Sequence, residues 1–182
     1  MNRSNSLIER DDVLFVLIDL QERLMPAIAH GERVVENARR LLAFARIAGL
    51  PVILTEQEKL GATVPVLKNE MPDLEAISKV HFNCFYADAF SRSVEQSGKR
   101  TLVLAGVESH ICVAQTALHA AGDFHVHVVA DATSSRTLEN LTLATERMRD
   151  KGVTITSTEM VIYELLQRAG TEEFKAALQL VK

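Results

Sequence analysis

The chain has 182 residues, of which 47% are hydrophobic and 24% charged, a balance typical of one soluble globular domain. Its formal net charge of −4 excludes the strongly basic composition typical of nucleic-acid-binding proteins, so no nucleic-acid partner is expected. Two cysteines are too few for a disulfide framework or a four-cysteine metal centre, and the lack of a long apolar run or a secretory leader predicts a cytoplasmic protein with no membrane partner.

In the first half of the chain, short β-branched runs alternate with longer amphipathic segments, as in a parallel sheet covered by helices. Residues 13–20 are a continuous apolar run that ends near an acid, and they predict a strand buried on both faces. A helix is expected from about Glu32 to Gly49, and residues 52–55 predict the second strand. Residues 61–74 contain two prolines and a glycine, which predicts a loop with at most a short helix.

The second half continues the alternation of strands and helices. Its expected strands are residues 77–82, 101–108, 125–132 and 152–157, and its expected helices are 87–97, 109–121, 138–148, 158–166 and 171–181. Together these elements predict an α/β fold: one doubly wound three-layer α/β/α domain over residues 1–182, with a mostly parallel six-stranded sheet and a flexible N-terminal arm of about residues 1–10. Such sheets bind ligands at the carboxyl ends of their strands, so functional residues should follow strand ends.

Asp19 and Lys79 are two polar residues that fit this rule. Asp19 lies at the end of the first strand, where a buried carboxylate is costly unless it is paired or functional. Lys79 lies between Ile77 and Val80 in the short middle strand, and an inward-facing lysine would need an acid such as Asp19. The alternatives are that Asp19 only caps a turn and that Lys79 faces solvent on an edge strand.

Cys112 is the most informative residue. If Ser109 is the N-cap of the following helix, Cys112 lies in the first helical turn, where free backbone N–H groups occur. Those groups and the helix dipole would lower the pKa of the thiol below its usual value of ~8.5 and could also hold an oxyanion. Taken alone, however, a cysteine is more often an inert buried residue.

Asp19, Lys79 and Cys112 form a coherent nucleophilic set because each is expected near the end of a different strand. The carboxylate can accept the thiol proton, the lysine balances the charge, and the thiol attacks. Since aspartate is a weak base towards a thiol, this scheme requires either a desolvated Asp19 or a strongly stabilised thiolate.

Four segments, LIDLQ, SKVHFNCF, AGVESHICVAQTAL and DATSSR, occur in this order along the chain. They resemble the isochorismatase-like hydrolases, also called cysteine hydrolases, over essentially the whole sequence. The resemblance implies a catalytic triad of Asp19, Lys79 and Cys112. It also implies a cis peptide between Val107 and Glu108, and an oxyanion hole formed by the backbone amides of Glu108 and Cys112.

Two departures from the family patterns narrow the expected activity. Nicotinamidases of this group have a D-x-H metal motif after the second strand, whereas this chain has LTEQEKLG there, with Gln57 and Lys59. We therefore expect no metal, no cofactor and no nicotinamidase activity. Enzymes that cleave isochorismate itself typically lack the cysteine, so Cys112 argues against that substrate. The sequence looks more like the poorly characterised isochorismatase-domain proteins.

The predicted function is hydrolysis of a small amide-like or related carbonyl substrate through a thioester acyl-enzyme. Gln57, Phe82, Asn83 and His110 are candidates for the substrate pocket, and Cys84 is expected to serve packing. The family resemblance also implies a homo-oligomer, a dimer or larger. Two alternatives remain: a thiol redox protein that uses Cys112, with a Cys84–Cys112 linkage as its mark, and a catalytically idle scaffold.

Overall fold

The computed structural model describes residues 7–182, and within them the chain forms six strands and seven α-helices. The strands are β1 (Val13–Ile18), β2 (Val52–Gln57), β3 (Ala76–Lys79), β4 (Thr101–Val107), β5 (His125–Ser134) and β6 (Thr154–Thr156). The helices are α1 (Gly31–Ala48), α2 (Pro65–Glu70), α3 (Asp88–Ser97), α4 (Ala114–Ala120), α5 (Leu138–Asp150), α6 (Thr158–Leu166) and α7 (Glu172–Val181). None of these helices is long and apolar enough to cross a membrane.

The strands form one sheet in the order β3-β2-β1-β4-β5-β6, and every neighbouring pair is parallel. The chain builds outward from β1 to β3 on one side and then crosses to β4 on the other. The direction of winding therefore reverses between β1 and β4, and in a doubly wound sheet the crevice at this switch point is the usual ligand site. This confirms the predicted fold class.

The core has two parts because the side chains of each buried strand alternate between the faces of the sheet. Phe15 and Leu17 of β1 pack with α1, α6 and α7, whereas Leu14 and Val16 pack on the other face with α3, α4 and α5. All six residues of β1 are buried, which explains its uninterrupted apolar sequence. The result is the three-layer arrangement expected from the sequence.

Several element ends differ from the sequence-based expectation, and two of these differences affect the site. The first strand stops at Ile18 because Asp19 adopts φ = +55°, a left-handed conformation that ends the extended backbone. After β4, residues Ser109–Val113 form a π-helical turn, and the regular helix begins only at Ala114. The loop over 61–74 contains the short helix α2, as the sequence allowed.

The predicted N-terminal arm lies partly outside the described residues, which begin at residue 7. Residues 8–10 pack onto the domain: Ile8 is buried in the core, and the guanidinium group of Arg10 lies 2.7 Å from the carboxylate of Glu173. This part of the chain is held by contacts with α6 and α7, since the amide of Ile8 also donates to Glu164. A flexible arm stays a prediction for the residues before residue 7, whereas residues 8–10 make these contacts.

Gly106 allows β4 to approach β1 closely at the switch point. Its φ is +124°, and a Cβ atom built on it would lie 2.1 Å from the carbonyl oxygen of Ile18. Only glycine fits this position, because any side chain would collide with the backbone of β1. The close approach joins the strand that precedes Asp19 to the strand that precedes Cys112.

Candidate active site

Asp19, Lys79 and Cys112 meet at the carboxyl edge of the sheet, although they come from three separate strand ends. The Nζ atom of Lys79 lies 2.7 Å from Oδ2 of Asp19 and 3.8 Å from Sγ of Cys112. The side chains of Asp19 and Lys79 are fully buried, and Cys112 is 6% exposed. The structure therefore brings together all three residues of the predicted triad.

Strand β2 lies between β1 and β3 and supplies the side chains that connect them. The hydroxyl of Thr55 donates to Oδ1 of Asp19 at 2.8 Å, and Lys79 donates to Oε1 of Gln57 at 2.8 Å. Two strand spacings separate β3 from β1, about 10 Å, so a long side chain such as lysine is needed to span them. Both carboxylate oxygens of Asp19 thus have a donor.

Cys112 lies in the π-helical turn between β4 and α4. The carbonyl oxygen of Glu108 accepts hydrogen bonds from the amides of Ile111 and Val113, which wraps this turn tightly. The peptide bond between Val107 and Glu108 is cis. Ser109 does not cap the helix as expected: its hydroxyl is buried without a hydrogen-bond partner among the described residues.

The thiol of Cys112 is in an environment opposite to the one expected from the sequence. Burial raises its pKa above the usual range, the Asp19 carboxylate raises it further, and the nearby Lys79 ammonium only partly offsets them. The prediction of a lowered pKa was therefore wrong. At neutral pH the resting residue is a neutral thiol beside a carboxylate that can accept its proton.

Cys84 lies close to the same group of charges. It is completely buried, and its backbone amide donates to the hydroxyl of Thr116 on α4. Burial raises the pKa of the Cys84 thiol to about 11, with a smaller opposing effect of Lys79. A fully buried neutral thiol fits the packing role expected from the sequence.

A second ion pair lies beside the π-helical turn Ser109–Val113. The Nε atom of Arg136 donates to Oε1 of Glu108 at 2.8 Å, and its backbone amide reaches the same oxygen at 3.3 Å. One residue earlier, the hydroxyl of Ser135 lies 2.9 Å from Nδ1 of His110. These contacts join the loop after β5 to the turn that carries Cys112.

The four predicted pocket residues have different environments. Gln57 is held at both ends, because its Nε2 atom also donates to the carbonyl of Val80. Asn83 is buried and caps a 3-10 turn through the amide of Phe85, while its amide nitrogen contacts His119. Phe82 is 53% exposed. His110 is partly buried and, as described above, faces Ser135.

Thr55, Gln21 and Arg136 are site residues that the sequence reasoning missed. Gln21 is completely buried and joins the turn after β2 to the end of β1, with hydrogen bonds to Gln57 and Gly61. Thr55 could have been found, because it is a polar residue of β2 that pairs in register with Ile18, and Ile18 directly precedes Asp19. Arg136 lies in the DATSSR segment.

No group of three or more histidine, cysteine or acidic side chains suited to a metal ion occurs within residues 7–182.

A cavity of about 400 Å³ lies at the opposite edge of the sheet, between Thr101, His125 and Thr154. These three residues are at or next to the amino ends of their strands, away from Cys112, so this cavity is separate from the candidate site.

The sequence profile of a family described as "Isochorismatase domain" matches residues 13–160. Isochorismatase domain-containing protein 1 of Danio rerio is 36% identical over 171 residues, which make up 93% of this chain. The chain spans only 60% of the length of that relative.

Two solved structures share the fold with a TM-score of 0.90 each. The MAR1 ribonuclease from Caenorhabditis elegans is 30% identical, and the match covers 96% of this chain and 92% of that one. The YcaC gene product from Escherichia coli, described as an octameric hydrolase of unknown specificity, is 28% identical, with coverage of 98% and 91%.

Proposed function

The chain belongs to the isochorismatase domain family, which indicates that it is a hydrolase. We propose that it hydrolyses a small amide-like or related carbonyl substrate through Cys112. Family membership confirms the resemblance found in the sequence. It does not define the bond that is cleaved. The observation that carries the proposal is the contact of one buried ammonium group, Nζ of Lys79, with both Asp19 and Cys112.

In the first step, Asp19 accepts the thiol proton while Sγ of Cys112 attacks the carbonyl carbon. The raised pKa of the thiol favours transfer during the attack, because a free thiolate in this buried site is costly. Lys79 and Thr55 orient the carboxylate throughout. The oxyanion that forms is held by the backbone amides of Glu108 and Cys112.

In the second step, the tetrahedral adduct collapses and the carbon–nitrogen bond breaks. Asp19 returns its proton to the leaving amine, and the acyl group remains on Cys112 as a thioester. A water molecule then attacks the thioester with Asp19 as base, which releases the carboxylic acid and restores the thiol. Overall, one amide and one water give one acid and one amine.

A small substrate is consistent with the burial of the site. Cys112 is 6% exposed and the side chain of Asp19 is fully buried, so only a small reacting group can reach the thiol. Because the net charge of −4 does not favour a polyanionic substrate, we expect no ribonuclease activity from this chain, in contrast to the name of the Caenorhabditis elegans protein.

The proposal is tested by incubating the protein with a panel of small amides and measuring ammonia or amine release. We expect turnover with at least one amide, a mass increase equal to its acyl group on Cys112, and loss of both in Cys112→Ala. Cys84→Ala is the matched control, because it removes the other thiol and should keep turnover. Release that persists in Cys112→Ala would overturn the proposal.

The same protein and variants distinguish this proposal from the two alternative functions, a redox protein and an idle scaffold. A redox protein would consume peroxide and form a Cys84–Cys112 linkage that mass spectrometry detects, with no amide turnover. An idle scaffold would give neither product, and its Cys112→Ala variant would bind every compound as the unchanged protein does.

We further propose that the protein forms a homo-oligomer. Val80, Phe82 and Tyr86 are 57%, 53% and 62% exposed, and they follow Lys79 closely in the chain. Exposed apolar side chains in such a group are typical of a protein interface. Light scattering should give a mass of at least two chains, and Phe82→Glu should lower it; a monomer at every concentration would contradict this.

A further inference from the structure

The cavity of about 400 Å³ at the amino edge of the sheet has both polar and apolar walls. Its polar residues come from the segment before β1 and from the first residues of β4, β5 and β6: Glu9, Asp12, Thr101, His125, His127 and Thr154. The half-buried ring of Phe124 is part of its apolar wall. A cavity of this volume is large enough for a small organic molecule.

His127 is a buried polar residue of this wall. It is 6% exposed, and its Nδ1 atom has no hydrogen-bond partner among the described residues. A buried polar atom without a partner costs free energy, so such atoms are rare in folded proteins. Burial lowers the pKa of His127, so the imidazole is neutral at pH 7 and one of its nitrogens can accept a hydrogen bond. Because His127 lines the cavity, a bound molecule can supply the missing donor.

The charged side chains of the cavity wall are acidic. Glu9 and Asp12 line it, and none of the described residues that line it is a lysine or an arginine. Within residues 7–182, neither carboxylate belongs to an ion pair. The carboxylate of Asp12 is held by two neutral donors, the amide of Arg100 at 2.9 Å and the hydroxyl of Thr101 at 3.1 Å. The wall therefore carries negative charge that a bound cation can neutralise.

Two helices end at this cavity. Ala121 is the C-cap of α4, and Gly152 directly follows Lys151, the C-cap of α5; both Ala121 and Gly152 line the cavity. Helices that connect parallel strands run back along the sheet, so their carboxyl ends lie at the amino edge of the strands. The carboxyl end of a helix carries a partial negative charge and favours a cation. The helix ends thus add to the effect of the two carboxylates.

We propose that this cavity binds a small organic cation, with an ammonium group at the carboxylates of Glu9 and Asp12 and a short hydrocarbon part against Phe124. An aromatic ring can contact both parts of such a molecule. A metal ion is not favoured, since the residues from 7 to 182 contain no group of three or more side chains suited to one. The inference does not depend on the proposed function, because Cys112 lies at the other edge of the sheet.

The rival explanation is that the cavity holds only water and that the acidic protein attracts cations without a defined site. Lys99 and Arg100 are the nearby cations, but they donate to the backbone carbonyls of Asp11 and Asp123 and do not line the cavity. The two explanations differ in which carboxylates matter. A diffuse attraction is weakened equally by the loss of any neighbouring charge, whereas a site depends only on the carboxylates of its wall.

The first test is a calorimetric titration with 1,4-diaminobutane, a short hydrocarbon chain with two ammonium groups, in about 0.15 M sodium chloride. We expect saturation at about one diamine per chain. Binding should be at least about tenfold tighter than that of butane-1,4-diol, the uncharged analogue, because a hydrogen bond to a charged group is stronger than a neutral one.

Single-charge variants then locate the site. Glu9→Gln, at an exposed position, should weaken diamine binding about tenfold, and Asp12→Asn should do the same. Asp11→Asn is the matched control, because Asp11 lies between these two residues in the chain and is exposed but does not line the cavity. Replacing sodium chloride by magnesium chloride at equal ionic strength should leave the affinity for the diamine unchanged.

The second test follows the imidazole resonances of His127, which are assigned by their absence in His127→Gln. They should shift on addition of the diamine and saturate at the affinity that calorimetry gives. The resonances of His30 and His81, which do not line the cavity, should stay in place. Cys112→Ala should bind the diamine as the unchanged protein does, so the result is independent of hydrolysis.

Four outcomes would overturn the inference. The diamine could bind no better than the diol, or Asp11→Asn could weaken its binding as much as Glu9→Gln does. Magnesium could displace the diamine, which would indicate a site for inorganic cations. The His127 resonances could also remain unmoved while the diamine binds, which would place the diamine elsewhere.

Discussion

The ammonium nitrogen of Lys79 lies 2.7 Å from Oδ2 of Asp19, and neither side chain is exposed to solvent. A buried ion pair gives little net stability compared with an apolar pair of the same volume, because both charges lose their hydration. The role of this ion pair is instead to hold the two side chains in place. The pair fixes a carboxylate next to the thiol of Cys112, and the hydroxyl of Thr55 fixes the other oxygen of the same carboxylate.

Lys79→Met should destabilise the protein by about 3–5 kcal/mol, because it leaves the carboxylate of Asp19 buried without its cation. Adding Asp19→Asn in the same chain should recover part of the loss, since the uncompensated charge is then gone. Urea denaturation measures both. Lys175→Met is the control, because the pair of Lys175 with Glu172 is exposed and should contribute less than about 1 kcal/mol. Equal losses in the two single variants would contradict the buried-pair interpretation.

The raised pKa of Cys112 predicts a loss of stability in alkaline solution. Above the unfolded-state pKa of ~8.5 the unfolded chain releases the thiol proton while the folded chain keeps it, so the free energy of unfolding falls as the pH rises. Cys112→Ser should show a shallower fall, measured by urea denaturation from about pH 7 to 10. Alkylation by iodoacetamide should likewise keep accelerating through this range, and a plateau near pH 7 would argue for a lowered pKa instead.

Gly106→Ala should destabilise the protein by about 3 kcal/mol or more, or prevent folding, because the new Cβ would meet the backbone of Ile18 at a positive φ. Gly122→Ala is the matched control: nothing lies within 4 Å of its Cβ position, so its stability should change by less than about 0.5 kcal/mol. Thermal unfolding compares the two variants. A fully stable Gly106→Ala protein would show that the strands can move apart at the switch point.

His127 predicts a loss of stability in mild acid. Burial lowers its pKa, Glu164 opposes that effect, and Nδ1 has no partner among the described residues. As the pH falls below the unfolded-state pKa of ~6.5, the unfolded chain binds a proton that the folded chain does not, so the free energy of unfolding decreases. His127→Gln should flatten this dependence, whereas His125→Gln, at an exposed position, should not. An equal effect of both variants would show that the loss of stability in acid does not come from His127.

Much of the site could be predicted because it depends on local patterns. A short apolar run directly before Asp19 is typical of a buried strand, and the alternation of strands with amphipathic helices allows few arrangements besides a parallel sheet. In such a sheet the carboxyl ends of all strands lie at the same edge, so polar residues that follow different strands meet there. The neighbourhood of Asp19, Lys79 and Cys112 followed from that rule and from the family motifs.

The roles of Thr55 and Arg136 were not predictable in the same way. Each is defined by a partner that is 36 or 28 residues away in the chain, so no local pattern identifies it. The prediction that the helix begins at Ser109 was wrong for a related reason. Serine is a common N-cap, but here the tight turn around the carbonyl of Glu108 buries its hydroxyl and shifts the regular helix to Ala114.

The sequence by itself determined the order of elements and the family, and it predicted that Asp19, Lys79 and Cys112 lie near one another, because hydrophobic periodicity and short motifs are local properties of the chain. Only the tertiary structure decided the protonation of Cys112. The sequence placed this thiol at a helix start and so indicated a lowered pKa, whereas burial and the nearby Asp19 raise it. Desolvation and the distance between charges depend on the packing of distant segments, and these have no signature in the local sequence.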